Sequence, residues 1–151
     1  MRRALIPLTI IILSILSSGC GCGCTPPTVL GFVLDSAGQN ISSKYVGLRV
    51  TYSNTDGQVS SVPNVQLLMS GAPPEYTETK VFDAMNTIQV SVNQGVSAFQ
   101  LVYEGKQIAT FTLKAHKEAF SEKYLIDELQ FNGQKLAPVA QSTPNTYVFK
   151  L

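Results

Sequence analysis

The apolar residues of this chain come in short runs, several of them with a period of two, and most runs are closed by glycine, asparagine, aspartate or proline. Val46-Gly-Leu-Arg-Val-Thr-Tyr52 puts Val46, Leu48, Val50 and Tyr52 on one face, and Thr87-Ile-Gln-Val-Ser-Val92 does the same for Ile88, Val90 and Val92. Alternation of this kind is what a half-buried strand requires, so both segments are expected to be strands. Residues 29–34, 65–69, 96–103, 107–114, 124–131, 134–136 and 146–151 read the same way, and 79–82 reads as a short edge strand. Between them lie Asn54-Thr-Asp-Gly57, Asn93-Gln-Gly95, Glu104-Gly-Lys106 and Asn132-Gly133, whose residue types tolerate the left-handed backbone of tight reversals. Residues 115–123 form the one stretch with helical character, and it is short and polar.

Seven to nine strands at this spacing, without a long helix, imply an all-β fold: a single antiparallel β-sandwich, immunoglobulin-like or transthyretin-like. The segment Gly31-Phe-Val-Leu-Asp-Ser-Ala-Gly-Gln-Asn-Ile41, with 46–52 and Thr55-Asp-Gly57, resembles the opening of carboxypeptidase-regulatory-like and transthyretin-like domains. That resemblance covers about 27 residues and implies architecture rather than activity.

The first twenty residues have a different character. Met1-Arg-Arg3 is a short basic segment, and residues 4–16 are apolar apart from Pro7, Thr9 and Ser14. The run falls short of the roughly 20 apolar residues that cross a bilayer, so it reads as a cleaved export signal. Its ending, Leu16-Ser-Ser-Gly-Cys20, resembles the lipobox of bacterial lipoproteins, with the leucine four residues before the cysteine where three is usual. The resemblance implies that Cys20 receives diacylglycerol on its thiol, that the bond before it is cut, and that the new amine takes a palmitate-type acyl chain. Two or three such chains anchor stably, where one is marginal. The expected organisation is therefore a signal peptide at 1–19, a Cys/Gly/Pro tether at 20–27 and a β-sandwich domain at 28–151.

Cleavage before Cys20 removes 19 of 151 residues and leaves 132, enough for one domain with its own core. Arg2 and Arg3 go with the signal, so 9 basic residues face 10 acidic ones and the mature charge is −1. Nothing in that balance favours nucleic acid. Cys20, Cys22 and Cys24 are the only cysteines, so the domain folds without disulfides. Closely spaced thiolates suit a soft metal, yet no histidine or fourth cysteine stands near them, and a glycine-softened tether is the expected role.

A second and longer resemblance is to small lipoproteins of Bacteroidetes-type bacteria. It rests on the lipid cysteine, a first strand with an Asp-x-x-Gly turn, Tyr124-Leu-Ile-Asp-Glu-Leu-Gln-Phe-Asn-Gly-Gln-Lys-Leu136, and the ending Tyr147-Val-Phe-Lys-Leu151. It implies a lipid-anchored protein of the cell envelope. Gly21 stands where an aspartate is the usual inner-membrane retention signal, and no acidic run follows the cysteine. The expected site is thus the outer membrane, facing the periplasm. Asp35-Ser36-Ala37 resembles the triplet on which such bacteria place O-glycans, which makes Ser36 a candidate for modification.

Residues fit for chemistry are few. His116 is the only histidine and sits in a charged stretch, where a solvated surface role is expected. Asp127 and Glu128 are neighbours on an expected strand, so their side chains should point to opposite faces. Asp35, Asn40, Asn54 and Asp56 carry turn oxygens, but neither loop has the spacing of an EF-hand. No catalytic residue, metal or cofactor is expected. The expected role is a non-catalytic structural or protein-interaction module, attached to the membrane by lipid and meeting an unidentified envelope protein. The alternative is a glycan- or small-ligand-binding accessory protein of an uptake system, which would need a platform of exposed aromatics. For either, the candidate contact residue is Tyr76, in the proline-stiffened loop Gly71-Ala-Pro-Pro-Glu-Tyr76.

Overall fold

In a computed structural model, which describes residues 30–139 and 146–151, the alternating runs fold into two facing β-sheets. Residues 1–19, the tether 20–27 and Cys20 lie outside the described residues. The first sheet contains β1 (Gly31–Ser36), β2 (Gln39–Asn40), β5 (Gln66–Leu68), β6 (Val81–Asp83) and β11 (Thr146–Lys150). The second contains β3 (Arg49–Ser53), β4 (Val59–Ser61), β7 (Ala98–Tyr103), β8 (Lys106–Lys117), β9 (Tyr124–Phe131) and β10 (Gln134–Leu136). Their orders are β11-β1-β6-β5, with β2 beside β1, and β10-β9-β8-β7-β3-β4. The described residues form the expected all-β sandwich.

Among the described residues, pairing is antiparallel except between β1 and β11, which run parallel with Gly31 opposite Thr146 and Asp35 opposite Lys150. Parallel neighbours share no hairpin, so no turn in the sequence announces this pair. The Asn132-Gly133 reversal between β9 and β10 forms as expected, with φ values of 47° and 79° that suit a two-residue hairpin.

Between the sheets lies an aromatic core. Phe32 stacks on Phe82 and Phe149, with centroids 5.2 and 4.6 Å apart. Phe149 also meets Phe131 at 4.5 Å and Phe111 at 5.5 Å, and Phe111 stacks on Phe99 at 5.2 Å. Six of the seven phenylalanines thus form one connected group, filled out by Leu34, Val50, Leu101, Leu113 and Leu129.

Four local expectations are corrected. Residues 87–92 are not a strand: they lie within an α-helix, α1 (Met85–Gln94). Ile88 and Val90 are buried, but so are Thr87 and Ser91, completing a stripe with Ala84 at helical spacing. The Met85 amide donates to Asp83 Oδ1 at 2.9 Å, and Gly95 ends the helix with φ +67°. Residues 115–123 carry no helix: β8 continues to Lys117 and a turn follows. Segment 79–82 yields β6, which lies between β1 and β5 rather than at an edge. Val46 is 68% exposed, because the chain turns at Gly47 before β3 begins; Leu48, Val50 and Tyr52 are buried as expected.

Strand directions give the sandwich two distinct ends. Leu30, Thr146 and the start of α1 share one end, since the Ala84 amide donates to Leu30 O at 2.9 Å. There α1 crosses to the second sheet, where Ser91 Oγ donates to Leu113 O at 3.2 Å. The chain also returns from β10 to β11 at this end, with Val139 N donating to Thr146 O at 2.8 Å. The β8–β9 hairpin therefore projects from the end where the chain enters the domain. The opposite end carries the β1–β2 turn, loop 69–80 and Leu151, whose amide donates to Asp35 O at 2.9 Å.

Candidate functional site

Loop 69–80 at the far end is drawn closed by its own backbone. Ala72 N donates to Thr79 O at 3.0 Å, Thr79 Oγ1 to Met69 O at 2.8 Å, and Tyr76 N to Pro73 O at 3.1 Å. Pro73 is buried, and the Tyr76 ring is half-buried rather than projecting. Its hydroxyl donates to Asp35 Oδ2 at 2.7 Å, while Asp35 Oδ1 accepts from Gly38 N at 3.2 Å. Asn40 ties the same loop from below: its Nδ2 donates to Glu78 O at 2.9 Å and Lys80 O at 2.7 Å, and its Oδ1 accepts from Ser42 N at 3.0 Å. These contacts frame a recess of about 400 Å³ lined by Gln39, Asn40, Glu75, Tyr76 and Glu78 among others. The loop that was expected to present Tyr76 thus uses its hydroxyl internally, and what it offers outward is a recess lined by Glu75, Tyr76 and Glu78.

Burial pushes the Tyr76 hydroxyl well above the ordinary tyrosine range, and the Asp35 carboxyl beside it adds to the shift. The folded state holds this proton where the unfolded state would release it. Its stabilising contribution is complete below the unfolded value, about pH 10, and is lost progressively as the pH rises from there toward the folded value. Tyr76→Phe removes the donor and leaves Asp35 with one partner fewer. It is expected to cost about 1–2 kcal/mol at neutral pH and to lessen the alkaline loss of stability, both read from urea midpoints at about pH 7 and pH 10.5.

A second, larger cleft of about 480 Å³ opens where β3 and β7 part, beside the C-terminal end of α1. Its rim includes Ser53, Thr55, Gln94, Gln100 and Thr112, all neutral amides or hydroxyls. Tyr52, Phe99 and Phe111 line it from below, but each is itself buried, so no ring face is offered for stacking. The lining can hydrogen-bond a neutral polar group and carries no acid, base or nucleophile pair.

On the outer face of the second sheet, His116 Nδ1 lies 2.8 Å from Asp127 Oδ1, and Lys114 Nζ lies 3.3 Å from Glu128 Oε2. Asp127 and Glu128 were expected on opposite faces. A β-bulge pairs Lys114 with Glu128 and then Ala115 with Ile126, leaving Asp127 as the extra residue and turning it toward His116. The pair is half-exposed to solvent and lines neither recess. The turn oxygens are also engaged locally, with Asn54 Oδ1 accepting from Asp56 N and Gln58 N at 3.1 and 2.8 Å. Among the described residues, no group of three or more His, Cys, Asp or Glu could hold a metal ion.

Ser36 ends β1 and is partly exposed, beside the exposed Ala37 and Gly38 of the turn. Cys20, the candidate lipid site, lies outside the described residues. The sequence reading missed Phe120, which is fully exposed at the β8–β9 turn with φ +62°. The signal was there, since it is the one apolar side chain larger than alanine between Lys117 and Lys123. Comparison of the chain with family models, curated proteins and solved structures found no match.

Proposed function

We propose that this protein is a lipid-anchored component of a bacterial cell envelope whose β-sandwich serves as a non-catalytic structural or protein-interaction module. The observation that carries the reading is the run from Met1 to Cys20: a basic start, a short apolar stretch and a lipobox-like ending. The lipid on Cys20 attaches the chain, and among the described residues no helix is long and apolar enough to cross a membrane. The resemblance to small Bacteroidetes-type lipoproteins, and with it the outer-membrane, periplasm-facing location, belongs to the same proposal. Ser36, partly exposed at a turn, suits O-glycosylation, and the recess beside Tyr76 suits a basic or polar segment of an envelope partner.

The structure lends more support to an interaction module than to a glycan-binding accessory protein. The recess beside Tyr76 and the cleft beside α1 carry polar rims, and the aromatic rings of the cleft are buried in the core. Washing isolated membranes separates the anchor from a peripheral attachment. The protein is expected to stay in the pellet at high salt and to leave only in detergent. Crosslinking in intact cells followed by detergent extraction should then bring down one recurrent envelope protein. Release by salt alone would contradict the anchor, and turnover of a small substrate by the purified protein would contradict the non-catalytic role.

A further inference from the structure

Six of the seven phenylalanines are buried together between the sheets, whereas Phe120 has a relative exposure of 110%. It sits at the tip of the β8–β9 hairpin in left-handed backbone, φ +62°, a conformation a bulky side chain rarely adopts. The tip is nevertheless well built. Glu118 N donates to Lys123 O at 2.9 Å, Lys123 N to Ser121 Oγ at 3.0 Å, and Lys117 pairs with Glu122 at 2.8 Å. This framework holds the ring out in water, away from the described residues of its own domain.

The place of the tip in the fold says what it faces. The hairpin projects from the end of the sandwich that holds Leu30, where the chain arrives from the tether. From Leu113, at the level of α1, β8 runs on four residues to Lys117, roughly 13 Å, before the turn starts. Nine residues, 21–29, separate the lipid cysteine from Leu30, a span of ten Cα steps, so that end of the domain lies within about 35 Å of the anchor. Lys117 and Lys123 balance Glu118 and Glu122, so an anionic bilayer does not repel the tip. We infer that Phe120 is a membrane contact: it enters the headgroup boundary of the bilayer that holds the lipid and sets the domain upright, far end outward. One phenyl ring binds a bilayer too weakly to hold a free domain, so the contact acts only with the tether in place. The inference rests on the lipid anchor at Cys20. It goes beyond that reading in giving the anchored domain a fixed orientation, with the recess beside Tyr76 turned away from the membrane.

The chain contains no tryptophan, so Phe120→Trp introduces a single reporter. The variant should fold unaided, because nothing among the described residues packs on the side chain. The mature lipidated protein would be reconstituted into vesicles of phosphatidylethanolamine and phosphatidylglycerol, with and without lipids brominated on the upper acyl chain. Met69→Trp, in an exposed residue at the far end, provides the comparison. The expected result is emission shifted to the blue at position 120 and quenched at least about twofold by brominated lipid, with position 69 unquenched. Protein that fails to float with the vesicles would show that the anchor itself is wrong, and the inference falls with it. Protein that floats while the indole at position 120 stays unquenched, or is quenched no more than the one at position 69, would overturn the membrane contact alone. A blue shift without quenching would point to a protein contact and would overturn it too.

Discussion

Replacing Phe149 by alanine is expected to lower the stability of the sandwich by about 3–5 kcal/mol, a large share of the roughly 5–15 kcal/mol that holds a domain of this size folded. Phe149 is fully buried and is the ring through which the two sheets meet. It stacks on Phe32 within its own sheet at 4.6 Å and on Phe131 of the other at 4.5 Å, and it meets Phe111 of that sheet at 5.5 Å with the rings tilted. Truncation removes the transfer energy of the ring and three aromatic contacts at once, and the cavity opens where the interior is least able to collapse. The position also closes the fold topologically. Phe149 lies opposite Leu34 on β11, the last strand, which is held to the first by the parallel pairing. Urea unfolding should show the loss as a fall in midpoint without a change of slope. Phe149→Leu, which keeps most of the volume, should cost well under half as much. A stability within about 1 kcal/mol of the wild type would mean that the two sheets do not meet through this ring.

The elements that were legible in the sequence are those whose signals are local. The hairpins β7–β8 and β9–β10 follow from Glu104-Gly105 and Asn132-Gly133, where both residues of each pair have positive φ. Leu48, Val50 and Tyr52 face inward because alternation alone fixes the face of a strand. What was not legible depended on partners distant in sequence or on small polar residues. In α1 the apolar residues Ile88, Val90 and Val92 spell a strand, and only the buried Thr87 and Ser91 reveal the helical stripe. The β1–β11 pairing joins segments more than 100 residues apart, and no hairpin connects the two strands directly. The bulge that turns Asp127 toward His116 changes the register by one residue, and alternation carries no mark of it. Tyr76 could be assigned to a loop, but its hydroxyl bond to Asp35, 41 positions earlier, could not.

Cys20→Ser is expected to abolish lipid attachment altogether, because an alcohol does not replace the thiol that accepts the diacylglycerol. The signal segment should then stay on the chain, giving a precursor longer by 19 residues. Metabolic labelling with palmitate should drop to background in Cys20→Ser, and the slower-migrating precursor should accumulate. Cys22→Ser is the control: it lies two residues beyond in the same glycine-rich tether and should leave labelling and processing unchanged. Loss of label in Cys22→Ser but not in Cys20→Ser would move the modification site. Normal labelling in both single variants would remove either one as the sole acceptor.

The anchor is the claim on which the location, the orientation of the domain and the role proposed for it all depend. Mass spectrometry of the N-terminal peptide of the mature protein, isolated from membranes, tests it most directly. The account predicts a chain that begins at Cys20 and carries the mass of diacylglycerol, with or without a further acyl group on the amine. An unmodified N-terminus, or acyl mass on Cys22 or Cys24 with Cys20 bare or cut away, would contradict it.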